Sequence, residues 1–444
     1  MKLQTLYNML ALILATLCLC GVAIYNGYPL VYPDTGDYIG LNNNYLRSFF
    51  YNLFLAPSLW VHTLWLVAAV QALIVAHLLR LVLRVVFGLT SPLAFLGVTI
   101  PLCLLSNLPW FTGFIMPDIF TGVLILVFFL LIFHLGQLGS GEKTYLIALA
   151  IVAVTVHLSH IPLALGLLAA AWLFKKVTQK QPLFPSPAPG WATLAVTAAL
   201  ILLLANGYRS YGTLTISPGG YVFPLARLVA DGPAVKYLRA HCAEENYALC
   251  QYIDQLPANS DTFLWSDDSP FLKVGGIRGY GQEGEKIVIE TVRHYPFLIV
   301  KMTLLNTLRQ LPMINNWYGI VSYMDEPLPT DAIKAYFPGE FESYARSRQS
   351  HNKLSLRSFN NLHLQFITLC LLLAAVALFL YLKHRRFIPA LFLAALVVAY
   401  GLSAFITAAL SIPHNRYGSR LIWLLPFFCL TAIMDFIQNR RRQT

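Results

Sequence analysis

Charge is what this sequence has least of. Asp, Glu, Lys and Arg make up 11% of its 444 residues, where soluble domains carry about 25%. A chain so poor in charge, and 57% hydrophobic, cannot cover its surface with ionised groups, which excludes an ordinary soluble globular protein. Low-complexity tracts are absent, and so is any internal repeat of about 20 to 50 residues, which excludes solenoids and propellers. Cysteine is sparse. Five of the seven, Cys18, Cys20, Cys103, Cys370 and Cys429, lie in apolar stretches, where a free thiol acts as a small hydrophobe. The remaining two, Cys242 and Cys250, have no His-x-Cys or second Cys pair nearby, so a local disulfide is favoured over a metal site.

What the sequence does have is apolar blocks about 20 residues long, the length that crosses about 30 Å of hydrocarbon as a helix. They run near residues 5–25, 60–86, 92–114, 120–138, 144–158, 161–174, 191–206, 362–382, 387–410 and 421–436. The expected fold is an all-α polytopic membrane protein of about ten transmembrane helices. The fifth and sixth blocks are short and read as a broken pair meeting at Ser159-His160-Ile161-Pro162. The first block has a basic start but no small-x-small cleavage site before Gly27-Tyr28-Pro29, so it is expected to be retained.

Short cytoplasmic loops keep Lys and Arg. Outside residues 207–360 there are 16 such residues, and with ten spans 13 of them fall on the side of the two termini. Lys2, Arg80, Arg84, Lys143, Lys175, Lys176, Lys180, Lys383, Arg385, Arg386, Arg440, Arg441 and Arg442 make up this group. Arg47, Arg416 and Arg420 fall on the other side. Both termini are therefore expected in the cytoplasm, with the long 207–360 loop external. The net charge of +11 does not point to nucleic acid, because that loop holds 15 basic and 15 acidic residues.

Three parts follow: residues 1–206, a block of about seven helices; residues 207–360, a mainly α external domain; and residues 361–444, three more helices. Within the domain, helical stretches are expected near 225–241 and 247–256, with Phe263-Leu264-Trp265 in a loop. The 282–309 run reads as one or two helices, the second apolar enough to lie on the membrane.

A carboxylate beside lipid is costly and is usually kept for a task. Five acidic residues lie outside the domain: Asp34, Asp37, Asp118, Glu142 and Asp435. Solvation at the cytoplasmic edge accounts for Glu142 and Asp435. Asp34 and Asp37, in Tyr32-Pro33-Asp34-Thr35-Gly36-Asp37-Tyr38, share the external face with Asp118 of Met116-Pro117-Asp118. The topology brings His157, His160 and Pro413-His414-Asn415-Arg416-Tyr417 to that face as well. Arg416 offers a planar, permanently charged fork suited to phosphate. Each feature also has a plainer account. Asp34 and Asp118 stand where N-caps stand. His157 and His160, three apart, share a helix face and are either metal ligands or packed histidines. Asp267-Asp268 reads better as a solvated turn than as a cation pair.

An acidic residue before a tyrosine in the first loop, a Pro-Asp opening a helix in the second, a large late external domain and an Arg-Tyr before the last span together resemble the GT-C superfamily of membrane glycosyltransferases. The resemblance covers roughly residues 1–206 and 361–444. It implies a GT-C-like, inverting enzyme that moves a sugar from a polyprenyl-phosphate carrier to a lipid or glycan acceptor at the periplasmic face, among membrane lipids. It places Asp37 or Asp34 as the catalytic carboxylate. Arg416, with His414, Tyr417 and His160, becomes the substrate- and phosphate-binding group. Asp118 falls at the second-loop motif that in some members helps hold a divalent cation, Mg or Mn. Many members have two adjacent acids there, whereas this chain has one, which leaves metal dependence open. The rival functions are a transporter or flippase, a polymerase or ligase of lipid-linked saccharides, and a non-catalytic scaffold.

Overall fold

The computed structural model describes residues 2–179, 186–315, 320–354 and 356–443. Lys180, counted above, lies outside the described residues, as do the side chains of Lys2, Arg440, Arg441 and Arg442. The described chain is helical, with no strand beyond one isolated bridge between Leu30 and Phe114.

Among the described residues, six helices are long and apolar enough to cross a membrane: Trp65–Phe87, His160–Thr178, Gly190–Tyr211, Leu356–Lys383, Phe387–Leu410 and Asn415–Asn439. Shorter apolar helices, Leu3–Leu19, Pro92–Leu105 and Ile119–Phe133, pack with them. Helix Ile119–Phe133 is buried along nearly its whole length. A helix apolar on every side belongs inside a bundle, and this one begins at Asp118. The expected break between the fifth and sixth blocks is present: helix Ser140–Thr155 ends, and His160–Thr178 starts after a short turn.

Apolar side chains gather in two cores. The larger fills the bundle. The smaller belongs to residues 221–287 and packs Val222, Leu225, Tyr237, Phe263, Phe271 and Ile287. Its edge carries the Cys242–Cys250 disulfide, with Cα atoms 5.7 Å apart. The expected 225–241 helix is two, Val222–Ala230 and Pro233–Glu245. Gly232 makes the corner between them at φ 97°, a conformation that favours glycine. The 282–309 run is also two helices, Gly281–His294 and Pro296–Gln310, because Pro296 cannot donate the hydrogen bond that continuation requires. Pro296–Gln310 is inverted relative to a soluble helix. Thr303, Asn306 and Gln310 are buried while Phe297, Val300, Leu304 and Leu308 are exposed.

Residues 320–354 contribute to the bundle core through Ile320, Tyr323, Ile333, Phe337, Tyr344 and Leu354, and they clasp the first loop. Glu340 accepts from Tyr28 Oη at 3.1 Å, from Leu64 N at 3.0 Å and from Thr63 Oγ1. Gln349 bonds Val31 at both ends: Val31 N donates to Oε1 at 3.1 Å, and Nε2 donates to Val31 O at 2.7 Å.

One sequence expectation is corrected at the terminal end of the bundle. Asp435 is not solvated: it is 2% exposed and accepts from Arg386 at 2.5 and 3.0 Å, from Tyr381 at 2.9 Å and from Asn439 at 2.9 Å. Glu142 does sit at the surface, paired with Arg84 at 2.6 Å.

Candidate functional site

Two loops at the end of the bundle away from the termini are stitched together by backbone. Leu30 N donates to Gly113 O, and Ile115 N donates to Leu30 O, both at 2.9 Å. Thr35 tightens the seam. Its hydroxyl accepts from Tyr32 N at 2.9 Å and donates to Ile115 O at 3.2 Å. The Asp34 turn is therefore fixed against the segment that leads to Asp118.

Both aspartates occupy N-cap positions, of the short Thr35–Tyr38 helix and of Ile119–Phe133, yet neither makes a side-chain cap bond. Their carboxylates go to arginines. Arg416 grips Asp118 in a two-pronged pair, Nε to Oδ1 at 2.9 Å and Nη2 to Oδ2 at 2.6 Å, and reaches Asp34 at 3.4 Å. Arg47 binds Asp34 at 2.6 Å and lies 3.8 Å from Asp37. Arg420, 2% exposed, sits behind them 3.6 Å from Asp118. Tyr32 lies with its ring centroid 4.5 Å from the Arg416 guanidinium carbon.

The cluster thus holds three carboxylates and three guanidiniums in formal balance. Arg47 Nε and Arg420 Nη1 make only long ion-pair contacts, 3.8 Å to Asp37 and 3.6 Å to Asp118, and Arg420 Nε has no hydrogen-bond partner among the described residues. Arg47 and Arg416, but not Arg420, line the space above the cluster, where a guanidinium suits an anion.

Above the cluster opens a cavity of about 1160 Å³. Asp34, Asp37, Arg47, His157, Arg416 and Tyr417 line it on the bundle side, and residues 217–226 and 260–278 on the side of the smaller core. Ile406 and Leu410 of the Phe387–Leu410 helix, and Ile412 just beyond its end, continue the lining. Burial pushes the Asp37 carboxyl above its ordinary value, against the pull of Arg47 and with the push of Asp34. Asp118 behaves oppositely. Burial would raise it, but Arg416 outweighs burial and holds it well below the carboxylate range. His414, depressed to about 4 by burial and by Arg416, is neutral, and its Nδ1 accepts from Arg416 N at 3.2 Å.

No protein-family model matches this chain, and no curated protein or solved structure matches it at a significant level. The chemistry of the site has to be argued from its geometry.

That geometry brings together Asp34, Asp37, Asp118, His414, Arg416 and Tyr417, as the sequence led us to expect. His160 is placed differently. Fully buried, it has Nε2 2.8 Å from Thr121 Oγ1 and Nδ1 2.6 Å from Ala153 O, and its ring stacks on His157. Both nitrogens are engaged inside the bundle, and His157 faces the cavity in its stead. The residues around Asp118 do not fit a divalent cation. Both its oxygens accept from Arg416, and among the described residues no three His, Cys, Asp or Glu side chains are placed to hold a metal. Asp267 and Asp268 do not line the cavity. Arg47, Arg420, Tyr32 and Asp261 were not singled out from sequence. For the two arginines the signal was present: outside residues 207–360 they are, with Arg416, the three basic residues assigned to the face opposite the termini, and all three meet here.

Proposed function

We propose that this chain is a GT-C-like membrane glycosyltransferase of about ten spans. It moves a sugar from a polyprenyl-phosphate carrier to an acceptor at the periplasmic face of a bacterial inner membrane. The observation that carries this proposal is the cavity, which presents a carboxylate and two arginines to one space at the end of an apolar bundle. Transfer with inversion needs a base for the acceptor hydroxyl and positive charge where the phosphate departs. Asp37 takes the hydroxyl proton, and the acceptor oxygen bonds to the anomeric carbon. The bond from that carbon to the phosphate oxygen breaks, and the electron pair leaves with the carrier phosphate.

A phosphodiester monoanion becomes a phosphate dianion in this step, so one negative charge develops beside Arg47 and Arg416. Asp118 holds Arg416 in place from behind. The raised Asp37 suits a base that must bind protons better than an exposed carboxylate does. Ile406, Leu410 and Ile412 offer the isoprenoid chain an apolar exit toward the hydrocarbon.

The test is turnover. Purified protein in nanodiscs is incubated with radiolabelled polyprenyl-phosphate sugars and a cell-envelope extract, with and without EDTA. Release of sugar from the carrier, lost in Asp37→Asn and Arg416→Ala, is the expected result. A folded protein that releases sugar from no donor in the panel would sink the proposal and favour transport or assembly of lipid-linked saccharides.

A further inference from the structure

The cavity has a second wall, which cleavage of a carrier does not use. It is built on the short Ser260–Trp265 helix of the smaller core. Asn259 starts that helix, its Oδ1 accepting from Asp261 N at 2.8 Å and Thr262 N at 3.0 Å, and Ser260 Oγ ties it to Ala226 O at 3.3 Å. Phe263 and Leu264 are buried in the core. Helical register leaves Asp261 and Trp265, four residues apart, on one face, and both line the cavity. Arg278 lines it too, with its guanidinium 5.4 Å from the centroid of Tyr45.

Trp265 is 49% exposed. The other exposed tryptophans among the described residues, Trp60, Trp172 and Trp191, belong to apolar helices of the bundle, where lipid can cover them. Among the described residues nothing covers the exposed half of Trp265. Burial pushes the Asp261 carboxyl upward, as for a carboxylate poorly reached by water. The cavity, at about 1160 Å³, also exceeds the roughly 300–1,000 Å³ typical of a site for one small molecule. There is room for a donor sugar phosphate and a second ligand.

We propose that Asp261, Trp265 and Arg278 form a carbohydrate subsite, and that the acceptor is a glycan and not a simple lipid alcohol. A pyranose ring has an apolar C–H face that stacks on an indole. Its hydroxyls donate to a carboxylate and accept from a guanidinium. A lipid alcohol would need none of the three. The assignment as acceptor rests on the glycosyltransferase function above; the subsite itself does not.

Full-length protein in nanodiscs, without donor, is applied to an array of bacterial envelope oligosaccharides. Wild type is expected to retain one or more of them. Trp265→Ala and Asp261→Asn should weaken binding at least tenfold, and Trp265→Phe should keep most of it. Trp265 is exposed, so its replacement should leave the melting temperature unchanged, which separates loss of the subsite from loss of fold. An array that captures nothing, or undiminished binding by Trp265→Ala, overturns the subsite. Cleavage of the donor to free sugar without acceptor is measured in parallel. Cleavage without glycan binding leaves the enzyme standing and removes the subsite, whereas binding without cleavage of any donor does the reverse.

Discussion

Replacing Asp118 by Asn removes one of three carboxylates from a balanced cluster and leaves three arginines facing two. Asp118 is 2% exposed and gives both oxygens to Arg416 at 2.9 and 2.6 Å, with Arg420 at 3.6 Å. The Asn side chain keeps one acceptor and turns an NH₂ group toward guanidinium donors. Two charges about 4 Å apart interact by about 4 kcal/mol at an effective dielectric of about 20, and breaking a buried pair from one side costs about 3–5 kcal/mol. Melting temperature falls by about 2–4 °C per kcal/mol in domains of about 150–250 residues, and the response shrinks with length. A drop of about 3–10 °C is therefore expected by tryptophan fluorescence in detergent. Arg416→Met should cost a similar amount. Their combination should recover part of the loss, since the charges are again balanced, with Arg420 short of Asp118 and Asp34 left to Arg47 alone. A coupling of at least about 2 kcal/mol is the expected size. Asp118→Asn melting with wild type, or strict additivity in the double variant, would refute the buried pair. The same pair predicts flat stability through the neutral range. A carboxylate held below its unfolded value contributes stability above that value and loses it only as pH falls through the lower, folded one.

Transfer should rise with pH through a midpoint above the ordinary Asp value of 3.8, because the raised Asp37 must lose its proton to act as a base. A pH profile of turnover checks this: Asp37→Asn should reduce the rate by about 10²–10⁴ above that midpoint, and the difference should narrow as pH falls below it. Asp435→Asn should lower the melting temperature by leaving Arg386 without its counter-charge, and should not change the apparent affinity for donor. Any shift in donor KM would contradict its place outside the cavity lining. Gln349→Ala removes both bonds to Val31, a loss of about 1–3 kcal/mol. It should hasten proteolytic cleavage within residues 28–47; cleavage at the wild-type rate would show that the contact does not hold the loop.

Long apolar runs were easy to read as helix, because hydrocarbon length and helical rise leave little choice of element. Among the described residues six of the helices are long and apolar enough to cross a membrane, while others are shorter or broken within a block. Asp34 and Asp118 had two accounts open, cap or site. The sequence alone could not decide between them, since the partners Arg47 and Arg416 lie 13 and 298 residues away. His160 was misplaced because spacing on a helix gives a face and does not say whether that face meets a cavity or Thr121. Trp265 was assigned to a loop because a single turn of helix between Pro257 and Pro270 leaves too little periodicity to read. That turn exists because Asn259 caps it and Phe263 and Leu264 are buried beneath it. Asp435 was assigned to solvent because its partner Arg386 lies 49 residues earlier.

The clasp on the first loop bears on how the protein is made. Asn26 O accepts from Arg348 N at 2.9 Å and Asn26 Oδ1 from Gln349 N at 2.7 Å, while Glu340 and Gln349 secure Tyr28, Val31 and Leu64. The loop bearing Asp34 and Asp37 therefore emerges from the ribosome more than 300 residues ahead of its fastening. Arg416 comes later still. Each nascent chain must carry an unfinished carboxylate loop through the insertion of the whole first helical block. The site closes only when residues 340–349 have arrived and the last helix has delivered its arginines. Chains released early can fill a membrane with correctly formed helices and still hold no assembled site, so synthesis itself sets the order in which this protein becomes competent.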